Sequence, residues 1–104
     1  GTHSAVVPYV DPGVMLARAI AAQTNAFLQQ HNAPPRVILL TNHGLIAPAA
    51  TCAGVLAATL MSQKAAGVFL HAEFIGGAVP LPGQQVTRIA DRPDEHYRRR
   101  ELKM

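Results

Sequence analysis

Val37-Ile38-Leu39-Leu40-Thr41-Asn42-His43-Gly44-Leu45-Ile46 is the stretch from which the fold is read. Four apolar residues open it, and the Val37-Ile38 pair is β-branched. A short apolar run bounded by turn residues reads as a strand buried on both faces. Pro34-Pro35 leads into the run, and Asn42-His43-Gly44 interrupts it. Gly44 takes positive φ at little cost, and Asn42 tolerates it better than most residues. Leu45-Ile46-Ala47 then resumes as a third extended piece before Pro48. His43 therefore sits at a kink between two apolar segments, where a strand end can present its ring to a cleft. By spacing alone it reads first as a turn histidine bonded to nearby backbone, because one histidine without a partner in sequence is a weak metal signal.

Working outward to the N-terminal side, Ala5 to Val10 is β-prone, but Pro8 removes a ladder donor and marks a short or edge strand. Asp11-Pro12 is a helix-start signal, a capping carboxylate before a proline at the first helical position. The spacing predicts a first helix from Pro12 to Gln30, with an apolar stripe through Leu16, Ile20, Gln23, Phe27 and Gln30. His31 reads as a C-terminal cap, and Pro34-Pro35 excludes further helix. Strand, helix, strand is a βαβ-type order, which allows parallel pairing of the two strands.

To the C-terminal side, Thr51 reads as an N-cap and a second helix follows from Cys52 to Phe74. It is apolar nearly all round, which reads as a buried helix. Ser62-Gln63-Lys64 at mid-length argues against a membrane span. Cys52 reads as an inert small residue and His71 as a core or interface histidine. Gly76-Gly77 stops the helix, and Pro80-Leu81-Pro82-Gly83 is a turn-rich linker. A third helix is expected over Gln84 to Ala90. A fourth starts at Pro93, with Asp94 and Glu95 matching its N-terminal dipole and Arg98, Arg99 and Arg100 its C-terminal end.

The apolar run, Asn42-His43-Gly44, Leu45-Ile46-Ala47 and Thr51 opening an alanine-rich helix together resemble the class II aldolase/adducin family. Val7-Pro8-Tyr9-Val10-Asp11-Pro12-Gly13 resembles the same family at the right distance upstream. The likeness covers Val7 to Glu73. It implies an α/β chain, part of an αβα domain in which short strands pack with two long helices and end in a helical tail. Residues 1–87 would be the C-terminal half of that domain, and residues 88–104 its charged tail. It also implies that His43 is one of three histidines on a catalytic zinc, or another divalent metal, that acts on a sugar phosphate. Carbon–carbon lyases, epimerases, dehydratases and decarboxylases share that site, whereas adducins keep the fold as an assembly module.

The family's domain is about twice this long. Its other two zinc histidines, its catalytic acid and its phosphate loops lie in an N-terminal half that nothing here matches. Thr2-His3-Ser4 is no substitute, since no second histidine stands two residues away. The expectation is a C-terminal portion that an N-terminal half or a partner chain completes.

Charge placement supports an incomplete surface. Of 104 residues, the first 87 carry only Asp11, Arg18, Arg36, Lys64 and Glu73, and the other ten charges lie in Arg88 to Lys103. A free-standing domain of this size has far more surface charge. The reading is a homo-oligomer, dimer or tetramer, in which the second helix, the C-terminal segment or both cross between subunits. Acids interleave the C-terminal arginines and no aromatic platform accompanies them, so a nucleic-acid partner is not expected. Nor is a membrane. A single cysteine and no signal-peptide pattern point to the cytoplasm.

Overall fold

The computed structural model describes residues 2–101; Gly1 and the charge at Lys103 lie outside them. The elements run β1 (Ala5–Val7), α1 (Val14–His31), β2 (Ile38–Leu40), β3 (Gly44–Ile46), α2 (Cys52–Phe74), α3 (Gly83–Ala90) and α4 (Pro93–Glu101). This is a mixed helix and strand chain in two compact units, which meet in sequence at Pro48 and Ala49. The charge step at Arg88 falls inside α3.

In the first unit, β1 pairs with β2 in parallel, with Ala5 opposite Ile38 and Val7 opposite Leu40. β3 returns antiparallel on the other side of β2, with Ile38 opposite Ile46 and Leu40 opposite Gly44. The order β1-β2-β3 leaves β1 at an edge, where Pro8 just beyond it costs no ladder bond. Side chains alternate across a strand, so Ala5, Val7 and Ile38 share one face. That face is buried and is covered by Leu16, Ala19, Ile20 and Phe27 of α1, with Leu40 beside them.

The opposite face corrects the expectation of a strand buried on both sides. Val6, Leu39 and Leu45 stand in register across the three strands, and all are exposed, Leu39 at 41%. One helix covers one face of a sheet, and an apolar run does not by itself supply a second layer.

α1 also starts and packs differently from its sequence signals. Its N-cap is Gly13 at φ 132°, ψ −156°, a conformation that favours glycine, and no side chain caps it. The Asp11 carboxylate instead accepts the Tyr9 hydroxyl at 3.0 Å. The inner stripe passes through Thr24 rather than Gln23 and Gln30, which are exposed. Thr24 Oγ1 is shielded and has no hydrogen-bond partner among the described residues. The C-cap is Asn32, left-handed at φ 50°, with its N–H on Leu28 O. His31 is not the cap: its ring lies 4.3 Å from Phe27 and stacks on His3 at 4.7 Å, centroid to centroid.

In the second unit, α2 has the expected bounds. Thr51 caps it, extended at φ −138°, its Oγ1 accepting the Gly54 N–H at 3.0 Å. Its surroundings are not as expected. Only Gly54 and Ala58 are buried, and large apolar side chains project from all sides of the helix. Length and composition alone would let α2 cross a membrane. Cys52 and His71 are exposed rather than packed inside. Gly76 and Gly77, at φ 119° and 105°, turn the chain off α2. Glu73 Oε1 accepts the Ala78 N–H at 3.1 Å and ties down the strap that follows. α4 carries Asp94 and Glu95 in its first turn and three arginines in its last, as the dipole favours. Arg99 donates to Ala90 O at 3.1 Å and so satisfies a carbonyl at the end of α3.

Candidate metal-ligand site

The β2–β3 turn is Thr41-Asn42-His43, and three local features fix it. Thr41 donates to Val7 O through both its backbone N–H, at 3.1 Å, and its hydroxyl, at 3.0 Å. That fastens the turn to the carboxyl end of β1. Asn42 takes the left-handed conformation at φ 55°. The His43 N–H closes the turn on Leu40 O at 3.0 Å. Three residues suffice because the left-handed residue reverses the chain between antiparallel strands.

His43 is therefore held by its backbone while its ring stays exposed, with no side-chain hydrogen bond or ion pair among the described residues. It stands just past the carboxyl end of β2, the member of the parallel pair that follows the α1 crossover. In open α/β sheets, ligands bind outside the carboxyl ends of such strands. An exposed imidazole there can ligate a metal or accept a proton.

The donor set does not fit a zinc site by itself. A catalytic zinc takes three protein ligands and keeps one open position. Among the described residues, no three of His, Cys, Asp and Glu come together as a metal would need. His43 is one donor. His3 and His31 are near each other, but their ring planes are only 22° apart and stacked. Their lone pairs then run side by side instead of converging on a point. His71 and His96 are exposed on α2 and α4.

Two features were not read from the sequence. Phe27 and His31 are four apart on a helix, so their contact was available to an i, i+4 rule, whereas the His3 partner was not. The second is an apolar groove in the second unit, between α2 and the strap after Gly77. A double glycine after a long helix signals a reversal, but not what the returning chain lies against.

No protein-family model, no curated protein and no solved structure matches this chain.

Proposed function

We propose that the chain is the C-terminal portion of a zinc-dependent class II aldolase-like enzyme that acts on a sugar phosphate in the cytoplasm. Its part is to supply His43 as one ligand of a metal centre completed by residues outside these 104. The observation that carries the reading is the His43 turn: an exposed imidazole, unpartnered among the described residues, on a fixed backbone at the carboxyl end of a parallel strand. The finer fold assignment, half of an αβα domain, rests on the likeness of the Val7–Gly13 and Val37–Ile46 segments. The bare Val6, Leu39 and Leu45 face is where a second layer of such a domain would lie.

This chain's own contribution is positional. Thr41 and Asn42 set the turn, and the turn sets the imidazole. A neutral ring with one nitrogen free is the form that ligates. No step of the reaction is assigned to the chain alone, because a single donor cannot hold the metal.

Metal analysis of the assembly purified from its source tests the reading. About one zinc per chain is expected, and His43→Ala should remove it while leaving circular dichroism unchanged. Full zinc occupancy in the variant refutes the ligand role.

A second reading is a non-catalytic assembly module, and the exposed apolar surface of α2 favours it. A source assembly that is free of metal, but held together through this chain, would support it over the enzyme.

A further inference from the structure

The groove beside α2 has a volume of about 860 Å³ and lies wholly within the second unit. Ala65 and Ala72 are among the small residues lining it, Val68 and Phe69 are larger, and Ala78 to Leu81 form the far wall. The wall is positioned by the Gly76-Gly77 reversal and by the Glu73 to Ala78 bond. Lys64 is the one charged residue on the lining.

A small molecule is a poor occupant. Small-molecule sites enclose 70–90% of their ligand and carry a few convergent polar groups. This groove is open along one side, and apart from Lys64 its lining side chains are apolar. A polypeptide surface of matching polarity is a better one.

We propose that the groove is a self-association surface, occupied by the same surface of a second copy of this chain about a two-fold axis. The area argues for it. Met61, Val68, Phe69, Ile75, Val79 and Leu81 each leave more than half of their surface exposed. At roughly 100 Å² of apolar surface per side chain, they offer about 400 Å². A standard interface takes about 800 Å² from each partner, a little over half of it apolar. These six side chains supply most of that share, and the alanines and strap backbone can supply the rest.

Shape argues for it too. A two-fold contact needs projection and recess on one surface. Val79 lines the groove yet is 95% exposed, and Ile75, at 87%, precedes the strap. The alanines on the lining leave room for them. The inference stands whether or not His43 meets a metal.

Sedimentation of the 104-residue chain between 1 and 100 µM tests it (concentrations on the order of those at which standard interfaces assemble). A concentration-dependent dimer is expected. Val79→Asp, at a site exposed in the single chain, should raise its dissociation constant at least ~100-fold, since each dimer carries the change twice. Leu70→Asp, exposed on the opposite side of α2, should change it by less than about threefold. A chain that stays monomeric overturns the proposal. So do equal effects of the two substitutions, which would mean unspecific stickiness. So does a chain that sediments as a monomer but partitions into phosphatidylcholine vesicles, which would make α2 a membrane element.

Discussion

Asn42 holds the backbone on which the candidate ligand stands, so its substitution isolates the local physics of the site. At φ 55° it occupies the left-handed region. An ordinary L residue pays about 1–2 kcal/mol there, and a β-branched one is worse placed still. Asn42→Val should therefore open the β2–β3 turn by at least that amount. Asn42→Gly loses the left-handed penalty but adds unfolded-chain freedom of about 0.5–1 kcal/mol, so the two changes should nearly cancel. The reporters are the Thr41 and His43 amides, bonded to Val7 O and Leu40 O. For Asn42→Val their hydrogen exchange should quicken by roughly 5–30-fold, the factor that 1–2 kcal/mol represents. The α2 amides, in the other unit, should not change. Unaltered exchange in Asn42→Val, or equal acceleration in Asn42→Gly, would refute the claim that a left-handed residue sets the turn.

Other substitutions test the packing and the electrostatics. Ile38→Ala, at a side chain 4% exposed, should cost about 2–5 kcal/mol in chemical denaturation. Leu39→Ala, one residue along on the bare face, should cost well under half as much. Thr51→Ala should cost about 0.5–2 kcal/mol by removing the Gly54 cap, read as fraying of the first turn of α2. The Arg98 guanidinium bonded to Glu95 holds that carboxyl below its usual range. A carboxylate with a lowered folded pKa stabilises above its ordinary pKa and loses that contribution as pH falls through the lowered value. Helix α4 should therefore fray as the solution is acidified below about pH 4. Adding salt at neutral pH should weaken the same contact, since both groups are at the surface. A Glu95→Gln chain whose α4 amides show the same pH profile would contradict this assignment.

Much of the fold was legible because its signals are local. Thr51 before an alanine-rich run set the start of α2, and Gly76-Gly77 set its end. The order of apolar run, helix and apolar run allowed the parallel β1–β2 pair that the structure shows. Local signals failed where a second chemistry competed for the same residue. Asp11 looked like a cap but binds the Tyr9 hydroxyl, and Gly13 takes the cap position instead. His31 looked like a cap but packs between Phe27 and His3, while Asn32 closes the helix. Burial was the least legible property. Leu39 and the α2 side chains are apolar enough to be inside, but hydrophobicity says only that a residue gains from a cover, not whether this chain supplies one. His43 was legible as a turn residue at a strand end. The ligand role proposed for it rests on resemblance alone, because ligands are recognised by their partners in space and no three of His, Cys, Asp and Glu come together among the described residues.

Under the proposed function His43, and no other histidine of this chain, meets a metal supplied with the rest of the assembly. Nitrogen-15 labelling of the histidines in this chain alone, followed by zinc addition to the metal-stripped assembly, tests it most directly. One imidazole resonance set should move to a metal-bound position and be absent in His43→Ala, while His3, His31, His71 and His96 stay where they were. Metal-bound signals from any of those four, or none from His43, would contradict it.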